Sequence, residues 1–113
     1  MCGIAGYYNP KKNYSDNPKS NFKILGNMIN SMKMRGPDEQ GFSIIGSCCL
    51  AHTRLSIIDL DTGRQPIKVI NNEMPYHIIY NGEIYNHRDI KNELLGLGYT
   101  FDTKSDTEVL CKA

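Results

Sequence analysis

Cys2 is the residue best placed for covalent chemistry. If Met1 is removed, Cys2 becomes the N-terminal residue. Its α-amine then has an ordinary pKa of about 7.7–8.0 and can act as the base for its own thiol. A thiol is intrinsically nucleophilic, so one residue would hold both nucleophile and base. Asn81-Gly82-Glu83 follows the apolar run YHIIY and precedes a polar turn. An Asn side-chain amide and a Gly backbone N–H can converge on one oxygen as an oxyanion hole, where losing a donor costs about 2.7–4 kcal/mol. Arg54 opens RLSIID, and its planar fork suits a carboxylate, or else an ion pair at the surface. Asp106 falls in the first turn of a last helix, where it can accept an ammonium or simply complement the helix dipole. Each feature has an ordinary structural explanation when taken alone. Together they describe attack on the side-chain amide of an α-amino acid, with glutamine the obvious candidate.

These residues need elements to hold them. Residues 3–8 (GIAGYY) suit a buried strand, and 9–20, with two prolines, read as a loop. Phe22, Leu25, Met28, Ile29 and Met32 recur at helical spacing, predicting a helix over 21–34 capped by Ser20 or Asn21. RGPDEQG at 35–41 is turn chemistry. FSIIG, SCCLAH and RLSIID read as three strand-like segments, followed by a loop at 61–66. Residues 67–73 and 76–80 suggest a hairpin around Asn71-Asn72. A helix follows, with Asn86 as cap, Ile90, Leu94, Leu95 and Leu97 on its turns, and Gly98 as its stop. YTFD at 99–102 reads as a short strand. Ser105-Asp106-Thr107-Glu108 reads as a capping box in which Glu108 reaches back to the cap.

The chain has 113 residues, 40% of them hydrophobic, which is one domain's worth of sequence. A chain of this size buries roughly 65% of its unfolded surface, so a core is attainable. Thirteen Lys and Arg against twelve Asp and Glu give a net charge of +1. That balance offers no electrostatic attraction to nucleic acid. No apolar run of about 18 residues is present to span a membrane. The N-terminus lacks the pattern of a secretory signal, which leads us to expect a cytoplasmic protein. Cys2, Cys48, Cys49 and Cys111 match neither a disulfide framework nor a zinc pattern. Cys48, Cys49 and His52 lack an evident fourth ligand, and a strand of small side chains explains them better. Asn13-Tyr14-Ser15 is formally a glycosylation sequon, without consequence in a cytosolic chain. The last helix stops within two turns, so a truncated domain is expected.

The order of the blocks is also informative. MCGIAG (1–6), RGPDEQG (35–41), LAHTRLSIIDLDTGRQP (50–66), YNGEIYNHRDI (80–90) and KSDTEVL (104–110) run from end to end. In this order they resemble the N-terminal glutaminase domain of glutamine-hydrolysing asparagine synthetases, a class II glutamine amidotransferase of the N-terminal-nucleophile hydrolase type. Related branches share the Cys and SDTE features but differ after the arginine and after NG. The resemblance implies an α+β fold: an αββα sandwich of two largely antiparallel sheets, here incomplete. Residues 1–113 would be a partial domain, with the ATP-dependent synthetase domain absent.

The resemblance also implies roles. Cys2 is similar to the nucleophile, and Asn81 and Gly82 correspond to the oxyanion hole. Arg54 matches the residue that grips the substrate α-carboxylate, and Leu55, Ser56, Ile57 and Ile58 continue that pocket segment. Glu83 and Asp106 match the binding site for the α-amino end. Arg35 belongs to a turn beneath the site, as structural support. One departure is Met34, where the family usually has His before RGPD. No cofactor and no metal are expected in this domain; ATP and Mg2+ belong to the synthetase domain. The expected partners are glutamine and that synthetase domain, with no nucleic acid and no membrane, and a homodimer stays open. Two alternatives accompany this reading: a catalytically silent glutamine-binding fragment, and amide transfer to an acceptor other than aspartate.

Overall fold

A computed structural model describes residues 2–56 and 63–113. Met1, Ile57 and Ile58 therefore lie outside the described residues, and with them the expectations placed on those positions. The described chain is α+β, with two antiparallel sheets. Strand β1 (Gly3–Tyr8) occupies the edge of a three-stranded sheet of order β1-β3-β2. Strand β3 (Cys48–Arg54) is central and pairs with both β1 and β2 (Glu39–Ile45). The second sheet is a hairpin of β4 (Ile67–Asn71) and β5 (Met74–Ile78).

Helix α1 (Pro18–Met32) covers one face of the larger sheet. Leu25 and Ile29 bury against Cys49 and Ala51, which point to that face from β3. Full burial of one such aliphatic side chain contributes about 1.5–3 kcal/mol. The alternation along β3 sends His52 and Arg54 to the opposite face, and both are buried there. Cys49 and His52 therefore diverge, consistent with a strand role for that cysteine-rich stretch.

Helix α1 begins three residues earlier than its apolar spacing indicates. Pro18 fills the first turn, where its missing N–H costs nothing. Asn21 is not a cap but a buried strut. Its Nδ2 donates to Tyr14 O at 3.1 Å and Asn17 O at 2.8 Å, and its Oδ1 accepts from Tyr7 Oη at 2.7 Å.

The hairpin forms as expected, turning on Asn72 and Glu73, both at positive φ (49° and 63°). Helix α2 (His87–Gly96) starts after Asn86, although the Asn86 side chain makes no capping bond. It ends at Gly96, with Leu97 as C-cap, and the chain turns away at Gly98, whose φ of 92° is open to glycine. Residues 99–102 do not form a strand. They lie over the start of helix α3 (Asp106–Lys112) and take up Glu108. The Ser105 side chain caps α3 by accepting from Thr107 N at 3.1 Å. Glu108 does not close the capping box: its carboxylate accepts from Asp102 N, Thr103 N and Thr103 Oγ1 at 2.6–3.0 Å. Ser105 N donates instead to Thr103 Oγ1.

Candidate functional site

Four distant segments meet at a cavity of about 280 Å³. Cys2 comes from the leading end of β1, and Arg54 and Leu55 from the end of β3. Asn81, Gly82 and Glu83 come from the loop after β5, and Asp106 from the start of α3; all seven line the cavity. Gly63, Gln65, Tyr80, Tyr85, Ser105 and Thr107 complete the wall. Ser56 is not part of it: its N–H donates to Asp38 Oδ2 at 2.7 Å, which draws it toward the 35–41 turn.

The sulfur of Cys2 is held by the Leu55 backbone. Leu55 N–H donates to Sγ at 3.4 Å, and Sγ donates to Leu55 O at 3.8 Å. Register places Gly3 opposite Thr53, so Cys2 reaches just past the end of the β1–β3 ladder. Arg35 Nε donates to the Cys2 carbonyl at 3.3 Å, giving the RGPD turn a direct hold on the Cys2 backbone. Asp38 grips the other side. Its N–H donates to Arg54 O at 3.0 Å while its carboxylate takes Ser56 N. Met34, before this turn, is 94% exposed.

Arg54 is 5% exposed, so it is a buried cation rather than a member of a surface pair. Its Nη1 bonds Glu39 Oε2 at 2.7 Å, and Glu39 Oε1 also takes Arg64 Nε at 3.2 Å. Asp106 Oδ2 accepts from Ile84 N at 3.0 Å, tying the start of α3 to the Asn81–Glu83 loop. Asp106 thus does more than complement a helix dipole. Gly82 approaches Tyr80 so closely that a Cβ there would stand 2.5 Å from the Tyr80 hydroxyl.

Burial pushes the Cys48 thiol up, with Cys49 beside it adding to the effect, and burial likewise raises Cys111. Neither lines the cavity. Burial lowers His52 below its usual range, against a hydrogen bond to the Tyr80 backbone that works the other way. The ring is therefore neutral near pH 7. Its buried Nε2 has no hydrogen-bond partner among the described residues. Also among the described residues, no three His, Cys, Asp or Glu side chains gather as a metal site. No helix there is long and apolar enough to cross a membrane.

Glu39 and Gln65 were not expected at the site, while Asp38 was read only as part of a turn and Thr107 only as part of a capping box. The signal for Asp38 and Glu39 was present, since RGPDEQG runs straight into β2. Gln65 gave none, as a polar residue in a loop has no periodicity to mark it.

A nucleophilic thiol, an amide donor, a buried guanidinium and a carboxylate around one small cavity suit a zwitterionic amino acid with a side-chain carbonyl. Comparisons with known proteins show what the chain is similar to. Asparagine synthetase 1 (glutamine-hydrolyzing) of Bacillus subtilis is 39% identical over 112 residues, covering 97% of this chain and 17% of that protein. Asparagine synthetase 3 (glutamine-hydrolyzing) of the same organism is 36% identical over 110 residues, again 97% and 17%. Asparagine synthetase B (glutamine-hydrolyzing) of Escherichia coli is 36% identical over 110 residues, covering 97% of this chain and 19% of that protein. The chain thus spans less than a fifth of the length of these relatives. Residues 1–113 match the model of the glutamine amidotransferase domain throughout, and with cavity and sequence in agreement the chain belongs to that family.

Proposed function

We propose that the chain hydrolyses the side-chain amide of glutamine, using Cys2 as the nucleophile. The observation that carries this reading is the meeting of Cys2, Arg54, Asn81, Gly82 and Asp106 around one cavity. Arg54 takes the α-carboxylate of glutamine, and Glu83 and Asp106 face its α-ammonium. Leu55 borders the substrate from the end of β3. With Met1 removed, the Cys2 amine accepts the thiol proton and the thiolate attacks the amide carbon. Asn81 Nδ2 and Gly82 N–H hold the oxyanion. The C–N bond then breaks, and the protonated amine gives its proton to the departing ammonia. Water, activated by the same amine, cleaves the γ-glutamyl thioester to glutamate and regenerates the thiol.

This chemistry uses no cofactor and no metal. In a longer protein the ammonia would pass to a synthetase domain and attack aspartate activated with ATP and Mg2+, yielding asparagine. Similarity to glutamine-hydrolyzing asparagine synthetases supports that destination, and the proposal includes a two-sheet αββα architecture and a cytoplasmic setting.

An electrophilic glutamine analogue tests the reading, with intact mass and glutamate release as the measurements. The expected result is Met1-free protein, one adduct on Cys2 that excess glutamine blocks, and glutamate release that Cys2→Ala abolishes. Retained release in Cys2→Ala would overturn the mechanism. An adduct without turnover would identify a silent glutamine-binding fragment instead.

A further inference from the structure

We propose that Gln65 is a positioning residue that sets the Asn81–Gly82 turn against the start of α3. The inference deepens the glutamine reading and rests on it for its catalytic consequence. Gln65 Oε1 accepts from Tyr80 N at 2.6 Å, one residue before the proposed oxyanion donors. Its Nε2 donates to Thr107 Oγ1 at 3.2 Å, one residue after Asp106. A single primary amide, with one acceptor and two donors, thus spans the Tyr80 loop and the start of α3, the two segments proposed to hold opposite ends of the substrate.

The backbone of Gln65 is fixed independently. It lies so close to Gly41 of β2 that a Cβ there would collide with the Gln65 carbonyl. Gln65 therefore carries the position of the large sheet to the Tyr80 loop and to α3. This transfer matters because the described elements pack as two groups. Helix α1 packs on β1, β2 and β3, whereas α3 packs on α2, β4 and β5. The nucleophile belongs to the first group, and the Asp106 carboxylate to the second. Gln65 also lines a neighbouring cavity of about 240 Å³, together with Arg54 and His52, so it borders two spaces.

Donors for an oxyanion act on the transition state, and a small displacement of them lowers kcat without a matching rise in KM. The experiment uses the intact protein and three variants: Gln65→Leu, Gln65→Glu and Thr107→Val. Gln65→Leu is expected to lower kcat for glutamine at least roughly tenfold, with KM within about threefold of the parent. Gln65→Glu keeps the acceptor for Tyr80 N–H and can accept from the Thr107 hydroxyl, so it is expected to recover most of kcat. Amide exchange supplies a measurement independent of turnover. Tyr80 N–H is expected to lose protection about tenfold or more in Gln65→Leu, while Ala51 in the central strand keeps its own.

Unchanged kcat in Gln65→Leu, or a rise in KM alone, would overturn the proposal, as would unchanged Tyr80 protection. If Gln65→Leu does not fold, Thr107→Val decides by the same kcat and KM comparison, since it removes one end of the bridge only. Absence of glutamate release from the parent protein would instead overturn the glutamine reading, and Tyr80 exchange would then judge Gln65 alone.

Discussion

Glu39 Oε2 stands 2.7 Å from Arg54 Nη1, and its other oxygen is taken by the exposed Arg64. The proposed carboxylate binder is thus oriented before substrate arrives. Arg54→Lys replaces a planar fork with a point charge. The expected outcome is a KM for glutamine raised about 10- to 100-fold, with a smaller change in kcat. Arg54→Ala would also strand part of a buried pair, a change that typically costs about 3–5 kcal/mol. Arg64 still neutralises Glu39, so the low end of that range is expected. Steady-state kinetics and urea midpoints check the two effects.

Asn81→Ala removes one of two proposed oxyanion donors. Turnover is expected to fall about 100- to 1000-fold, with KM close to that of the parent. Labelling of Cys2 by an electrophilic analogue should persist in the variant, because the cavity remains. Loss of binding rather than turnover would assign Asn81 to the substrate ground state.

Acid should destabilise the fold in two stages. Burial lowers His52 below its ordinary 6.5, so the unfolded chain binds the proton more readily. The stability linked to His52 is complete above about pH 6.5 and is lost as pH falls through the lower folded value. Burial alone would raise Glu108, but hydrogen bonds from Lys112, Thr103 and the Asp102 and Thr103 N–H groups outweigh it and lower it below 4.5. Its contribution is present above that value and is lost further into acid. Urea midpoints should therefore decline as pH falls below about 6.5 and again below about 4.5. A flat profile would contradict both assignments.

Gly41→Ala places a methyl group against the Gln65 carbonyl. Over-packing of this kind typically costs about 1–3 kcal/mol. The expected signature is a lower melting temperature together with reduced kcat, since the displaced backbone carries the Gln65 side chain with it. A drop in melting temperature with kcat intact would show that the loop relaxes without reaching the site.

Much of this arrangement was legible in the sequence for physical reasons. Strand β1 was readable as a strand because GIAGYY is a bounded apolar run, but it is not the buried strand expected: it lies at the sheet edge, where Ile4 and Tyr8 are exposed. The hairpin at Asn72 and the turn after α2 at Gly98 were readable because positive φ demands particular residues. The start of α1 was missed because Pro18 looks like a loop residue unless it occupies a first turn. Glu108 misled because a capping box predicts a local partner, whereas the loop at 102–103 supplies three donors nearby. Seven of the site residues expected from the sequence line one cavity. Ser56 departs because Asp38 competes for its N–H. Gln65 was silent because its importance lies in what it bridges, and bridging leaves no periodic trace.

Strand β1 lies at the edge of its sheet, and Cys2 stands one step beyond the Gly3–Thr53 pair. Past that pair, the leading end is held by Leu55 on the sulfur and Arg35 on the carbonyl. Fraying there breaks a few bonds and leaves the central strand and α1 intact. The proposed catalysis and the architecture consequently have separate breaking points. Mild heat or denaturant would silence the thiol well before the sheet melts. A substrate joined covalently to Cys2 would work in reverse, latching the loose end of the strand to the rest of the molecule.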